Sequence, residues 1–443
     1  MANTYLSRTS GTPTNALKWT FSTWIKLGEV INGDRWLLDF NTDSNNRSQI
    51  GFAHDYSKPQ LIVYEKVSNS TSQLFFTAQT FRDPSAWTHI LVSCDRTLGT
   101  DTERTKIYIN GERVTAFHST PTYPTQNTNG IINTAVSTLI GKYSQSTVYY
   151  NGSMTHTHFI DGTAYDADDF GETDSTSGIW KPKTSPSVTY GTNGFFLKFE
   201  NSGAMGTDSS GNSNTFTVNG TLTQNVDTPS NNFATFNPLK DGRMNGSTQY
   251  KATFTNGNTT STFAESTYNT GAFSSLAVNS GKYYAEIKCS NAGGNTKLGL
   301  FSADDYGSDD FSGTYLYDSS GTFGGSAYGN SFTTADIIQI AFDATNGTVW
   351  FGKNGTWQDS ATQSEIEAGT TTNSATTGID MTQFWHLGTY GVNATAFQAN
   401  FGQGYFGTTA VSSAGTSPSE GGIFEYDCPS GFQALCTKGI NSF

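Results

Sequence analysis

Charge is scarce in this sequence. Only 14% of the residues are Asp, Glu, Lys or Arg, and 24 of the 443 are basic. Long apolar runs are missing too, and no segment approaches the roughly twenty apolar residues of a membrane-spanning helix. The first residues, Met1 to Arg8, hold no apolar stretch of the signal-peptide kind, so secretion is not expected. Cysteines number four: Cys94, Cys289, Cys428 and Cys436. Without secretion, disulfides are not the default. Cys94 and Cys289 fall in apolar strand patterns and read as reduced core residues. Cys428 and Cys436 are near enough in sequence to pair or to join two metal ligands. Neither belongs to a Cys-x-x-Cys motif, so core or loop thiols are the expectation. Helical periodicity is almost absent. Asp166 to Phe170 and Ser364 to Ala368 could each form one turn, too short to stand without packing. Positive charge is short as well, and the net charge of −13 disfavours a phosphate-backbone partner.

What is present is aromatic. The chain carries 31 Phe, 21 Tyr and 8 Trp although only 35% of it is hydrophobic, so a core can form from few, large side chains. Asn-Gly steps occur ten times, and this dipeptide suits the positive φ angles of a tight hairpin turn. Two of them sit between clear strands. Lys106 to Ile109 enters Asn110-Gly111 and leaves through Glu112 to Val114. Thr348 to Lys353 enters Asn354-Gly355 and leaves through Thr356-Trp357. Each is preceded by an alternating strand ending in Asp, Trp87 to Asp95 in one case and Ile337 to Asp343 in the other. One supersecondary unit written twice implies two similar domains. The pattern predicts an all-β chain of two antiparallel β-sandwiches in tandem: 1–165 for the first, 166–240 as a structured connector with returning strands, 241–407 for the second, and 408–443 as a docking tail.

The strands Trp19 to Lys26, Trp87 to Val92 and Lys106 to Gly111, with Leu139-Ile140-Gly141 and Gly152 to Ile160, resemble in order the laminin-G-like branch of the concanavalin A-like lectin/glucanase superfamily. Gly281 to Ile287, Leu298 to Leu300, Asp336 to Phe342, Gly347 to Gly355 and Asn400 to Gln403 resemble a SPRY domain, a related sandwich. The stretch His158 to Leu239, with Gly178-Ile179-Trp180-Lys181-Pro182 and Tyr190 to Phe199 inside it, and the tail Cys428 to Cys436, are similar to segments of marine tailed-phage structural proteins. The resemblance implies a jelly-roll fold and residence in a virion.

Glucanases of this fold class resemble one another in a strand bearing Glu-x-Asp-x-x-Glu or a variant, which lines carboxylates on one face as nucleophile and acid. No such spacing occurs. Glu365 and Glu367 lie in a Ser/Thr/Gly-rich segment and read as solvated loop residues. No nucleophile elbow, phosphate loop or His-Glu-x-x-His is present. His156 and His158 alternate onto one strand face and are the candidate metal ligands, three such pairs converging in a trimer. The competing reading is a polar outer face. Asp304-Asp305, Asp309-Asp310 and Asp166-Asp168-Asp169 read as acidic turns, Ca²⁺ on a sandwich rim being the alternative. Tyr306, Phe311, Tyr315 and Tyr317, set among Gly, Ser and Asp, are the candidate ligand-binding residues, since sugar rings stack on aromatic faces.

These readings converge on a non-enzymatic virion component that needs no cofactor. A surface-exposed capsid decoration protein or a tail fibre or spike subunit fits. Its partners would be other virion proteins, and a homo-oligomer is expected, a trimer first. Host surface glycans are the further partner; nucleic acid and membrane insertion are not expected. A lectin-like adhesin is the alternative function, and a polysaccharide-degrading enzyme stands behind it.

Overall fold

The computed structural model describes residues 4–53, 59–241, 243–245, 248–304 and 313–443. The chain divides into two compact units, Met1–Gln224 and Asn225–Phe443. The described residues are nearly all-β, in antiparallel sheets of the sandwich type. Among them, no helix is long and apolar enough to cross a membrane.

In the first unit a seven-stranded sheet runs in the spatial order Thr217–Asn219, Tyr5–Thr9, Ser137–Ile140, Arg35–Asp43, Asn46–Ala53, Gln60–Val67, Ser70–Thr80. A six-stranded sheet runs Phe195–Leu197, Gly152–Asp161, Lys18–Leu27, Trp87–Asp95, Thr105–Ile109, Glu112–Arg113. Their inner faces share one core in which Phe21, Phe40, Phe52, Phe75, Phe159 and Phe195 meet Leu38, Ile50, Val63 and Val92. Burying one such side chain stabilises the fold by about 1.5–3 kcal/mol, so a core of aromatics offsets the low apolar content. The outer face of the six-stranded sheet is covered as well. Trp24, Leu91, Tyr108 and Ile160 pack there against Ala167, Phe170, Trp180 and Tyr190 from the segment that follows the last long strand. The residues expected to form a connector are thus shared out. Phe195–Leu197 and Thr217–Asn219 are edge strands of the first unit, and Phe236–Asp241 is an edge strand of the second.

The second unit repeats the plan. Its seven-stranded sheet runs Phe236–Asp241, Thr270–Val278, Trp385–Val392, Gly294–Ser302, Thr314–Asp318, Thr322–Phe323, Ser326–Ala327. The facing sheet runs Thr253–Thr255, Thr260–Phe263, Thr395–Asn400, Lys282–Asn291, Ile337–Asp343, Thr348–Lys353, Thr356–Trp357, and Gln433–Ala434 from the tail adds to Lys282–Asn291 in parallel. The tail lies on this sheet's outer face, where Phe424, Cys428, Phe432 and Cys436 pack with Tyr284, Trp350 and Trp357.

The two hairpins are built alike. Asn110 and Gly111 have φ of 50° and 87°, and Asn354 and Gly355 have 48° and 83°. In each, the Asn side-chain oxygen accepts from a backbone N–H of the preceding strand, His89 N at 2.8 Å and Ile337 N at 2.8 Å. The expected turns also form. Ala167–Asp169 is a single 3-10 turn closed by a capping box, and Gln363–Ala368 is a short helix capped by Thr362. Glu365 and Glu367 are therefore helical, which corrects their reading as loop residues. Thr362 and Glu365 bond reciprocally, and that pairing supplies the start signal.

Candidate functional site

The outer face of the first unit's seven-stranded sheet carries an open cleft of about 430 Å³ lined by Asp34, Trp36, Arg47, Gln49, Ala53, Ile62, Tyr64, Leu74, Phe76 and Tyr143. Register explains how residues so far apart in sequence meet. One cross-strand row is Asp39, Gln49, Tyr64 and Leu74; the next is Trp36, Gly51, Ile62 and Phe76. Residues opposite one another across strands stand close enough to interact, so each row forms a strip of surface. Gly51 leaves room for the indole: a Cβ there would fall 3.0 Å from Trp36 Cε3.

Polar groups are interleaved with these rings. The Arg47 guanidinium lies 5.6 Å from the Tyr64 ring centre and 5.9 Å from that of Tyr143, within reach of a cation–π contact with each. Its Nη1 donates to the Ser44 carbonyl. Behind the cleft, buried Asp39 accepts from Gln49 Nε2 at 2.8 Å and from the Ser144 N–H and hydroxyl at 3.3 and 3.2 Å. Burial raises the Asp39 carboxyl above the ordinary range, and those hydrogen bonds and the field of Arg47 offset this in part. Trp36, Gln49 and Asp39 are buried, so what the cleft presents is the half-buried rings of Tyr64, Phe76 and Tyr143 beside the Arg47 guanidinium: apolar faces on which a pyranose can stack and a donor for its hydroxyls.

A Ser–His contact elsewhere in this unit has the wrong polarity for nucleophilic catalysis. Ser22 Oγ and His89 Nε2 are 2.8 Å apart. Trp180 Nε1 donates to His89 Nδ1 at 3.1 Å, so Nδ1 is the acceptor and Nε2 carries the hydrogen toward Ser22. A histidine in that tautomer cannot take the serine proton. Both residues are fully buried, and burial lowers the His89 pKa to about 3.

The residues singled out by sequence fall as follows. His156 and His158 come together, both against the Phe196 ring at 6.0 and 3.9 Å. The surface they share is not a polar solvent-facing one. His158 is fully buried, with Nδ1 2.9 Å from the Tyr190 hydroxyl and its ring beside Phe170. Burial lowers the pKa of His156 to about 4 and holds that of His158 well below the ordinary value. Among the described residues no group of three His, Cys, Asp or Glu side chains is placed to hold a metal. Tyr306 and Phe311 lie outside the described residues, as do Asp305, Asp309 and Asp310. Tyr317 is fully buried against Phe332 and Phe351, so its ring is closed to a ligand; Tyr315 packs on Trp385. Cys94, Cys289, Cys428 and Cys436 are all free and buried. The cleft residues were not singled out by sequence. The available signal was the i, i+2 spacing of Ile62 with Tyr64 and of Leu74 with Phe76, which puts each pair on one strand face, each unremarkable alone.

These features define an antiparallel β-sandwich with a cleft on the outer face of one sheet. Residues 2–170 match the family described as the concanavalin A-like lectin/glucanases superfamily. No curated protein matches the chain in sequence. Among solved structures the chain is similar to the SPRY domain of human HERC1, at 17% identity and a TM-score of 0.28 over 37% of this chain and 96% of that one. It is similar to the heptameric SAP-like pentraxin of Limulus polyphemus, at 15% and 0.27 over 37% and 71%. It is also similar to the enzymatically active domain of tailspike protein 2 of bacteriophage CBA120, at 11% and 0.27 over 38% and 25%. Scores this low carry no functional argument.

Proposed function

We propose that this chain is a non-enzymatic binding protein that holds surface glycans in the cleft of its first sandwich, and that it works as a surface component of a tailed-phage virion, a capsid decoration or a tail fibre or spike subunit. The observation that carries the glycan reading is the set of half-buried rings of Tyr64, Phe76 and Tyr143 beside Arg47, on a floor of buried Trp36 and Gln49. Two features support binding without reaction. Among the described residues the lining carries one acidic side chain, Asp34, whereas hydrolysis by this fold class uses a facing carboxylate pair. The Ser22–His89 contact has the tautomer that forbids base catalysis. The virion setting rests on the sequence resemblance of 158–239 and of the tail.

A glycan array probed with the full chain tests the binding reading. Retention of host-surface oligosaccharides that is lost in Tyr64→Ala and Tyr143→Ala is the expected result. Reducing-sugar release from a retained glycan would replace it with an enzyme. Binding to none would leave assembly as the function of the fold. Finding the chain in purified particles by mass spectrometry, and locating it in a particle map, tests the setting.

A further inference from the structure

We infer that the hairpin from Lys142 to Tyr149 is a hinged lid over the cleft, latched to the sheet by Ser144 on Asp39, and that a glycan enters and leaves as this latch opens. The inference rests on the glycan reading above and names what regulates that site. Local pairing builds the hairpin. Lys142 bridges Tyr149, Tyr143 N–H donates to the Val148 carbonyl at 3.0 Å, and Ser146 N–H donates to the Tyr143 carbonyl at 3.4 Å. Alternation divides its faces. Tyr143 and Val148 pack with the cleft residues, the Tyr143 ring 5.9 Å from that of Trp36, whereas Lys142 and Tyr149 lie against Tyr5. The base is fixed by the Tyr150 hydroxyl, which donates to the Lys26 carbonyl at 3.0 Å. Gly141 supplies the pivot. Its φ is 80°, and among the described residues nothing comes closer than 4.0 Å to a Cβ added there.

The latch is weak. Ser144 N–H and hydroxyl donate to Asp39 Oδ2 at 3.3 and 3.2 Å, and Gln145 Nε2 donates to Asn41 Oδ1 at 3.2 Å, all at the long end of the hydrogen-bond range. Closure also has a cost. Asp39 Oδ1, Trp36 Nε1 and Arg47 Nε are buried without a hydrogen-bond partner, and theirs are the side chains that Ser144 and Tyr143 lie against. Unpaired buried polar atoms oppose the state that buries them. A sugar hydroxyl, donor and acceptor at once, is suited to meet such groups when the hairpin lifts.

Hydrogen exchange resolved to single amides tests the hinge. The Ser144 amide is the reporter, because its acceptor lies on the sheet whereas that of Tyr143 lies within the hairpin. Corrected for intrinsic rates, it should exchange about a hundredfold faster than the amides of Arg35–Asp43. Ser144→Ala should speed it about tenfold further, and Ser144→Thr, which keeps the hydroxyl, should restore it. Surface plasmon resonance with a glycan retained on the array tests the gating. Ser144→Ala should raise the dissociation rate about tenfold and Ser144→Thr should not, with the thermal midpoint unchanged in both. A Ser144 amide as slow as those of the strand would overturn the lid and leave the glycan reading standing. A dissociation rate that Ser144→Ala leaves unchanged would overturn the gating in the same way. Fast exchange in a chain that retains no sugar would sink the glycan reading, and the gating with it, while the hinge itself stood.

Discussion

Glu65 and Arg96 form an ion pair sealed inside the first sandwich, with Oε1 and Nη2 2.6 Å apart and both side chains 1% exposed. One further group on each partner binds backbone, while Arg96 Nε is buried without a hydrogen-bond partner. Glu65 Oε2 accepts from Ile131 N at 2.9 Å, and Arg96 Nη1 donates to the Thr128 carbonyl at 3.2 Å. The pair therefore fastens the loop before Ser137–Ile140 to the ends of two strands. Gly130 is forced by the same packing, since a Cβ there would fall 2.2 Å from Glu65 Oε2. Removing one partner strands a buried charge, at a cost of about 3–5 kcal/mol. Glu65→Ala and Arg96→Ala should each lower the free energy of unfolding, measured by urea denaturation, by that amount. Glu103→Ala, which breaks the exposed pair with Arg113, should change it by less than about 1 kcal/mol. Equal effects from the buried and exposed pairs would contradict this.

The four thiols should be silent in the folded chain. Burial pushes Cys94 and Cys289 up to about 11 and raises Cys428 and Cys436 above the ordinary thiol value. Thiolate is the reacting form, so both access and ionisation are suppressed. Alkylation at neutral pH should label none of the four until denaturant is added, and then Cys94 as the first unit unfolds and Cys289, Cys428 and Cys436 together as the second does. Rapid labelling of Cys428 or Cys436 alone would mean that the tail leaves its sheet.

Most of the fold was legible because two periodic signals agree with it. Alternation from Trp87 to Asp95 and from Ile337 to Asp343, followed by Asn-Gly, specifies a strand and a turn by local rules that packing does not override. The cleft was not legible for an equally physical reason. Trp36 and Asp39 are three apart, so strict alternation puts them on opposite faces. A bulge between Trp36 and Leu38 returns them to the same face while Leu37 and Leu38 both enter the core. A bulge is a product of cross-strand pairing and leaves little trace in one strand's sequence. The His156 region carries another, with φ of 45° at His156. The covering of that histidine pair was hidden likewise, because it depends on Phe170 and Tyr190, which lie on a later segment.

The tail should respond to pH through Glu286. This buried carboxylate accepts from Glu425 N and Tyr426 N at 2.8 Å each and from the Tyr284 hydroxyl at 3.0 Å. Burial pushes its pKa up to about 7, and the three donors offset only part of that. A carboxyl whose pKa is raised on folding binds more protons in the folded state. Its contribution is complete below the ordinary carboxylate range and is lost as pH rises through about 7. The free energy of unfolding of the second unit should therefore fall as pH rises from the ordinary carboxylate range to about 7, by about 3 kcal/mol at 1.36 kcal/mol per unit, and level off above it. Glu286→Gln should flatten that slope. A midpoint rising over the same interval in the unaltered chain would refute the assignment.

Gly51 offers a test that joins the fold to the cleft. It lies opposite Trp36, and a Cβ there would come within 2.3 Å of the Arg35 carbonyl oxygen and 2.7 Å of Trp36 Cα. Both obstacles are backbone, so no rotamer change relieves them. Gly51→Ala must push Arg35–Asp43 outward at the bulge, which overpacking studies place at about 1–3 kcal/mol. Gly99→Ala, where nothing lies within 4 Å of the added Cβ, supplies the control for simple loss of glycine. The displaced strand carries Trp36 and Asp39, so Gly51→Ala should also weaken glycan binding, at a temperature where the variant remains folded. Thermal denaturation, tryptophan emission and titration calorimetry on the two variants separate the effects. Loss of stability with unaltered binding would show that ligand rests on Tyr64 and Tyr143 alone and that the indole is only part of the floor.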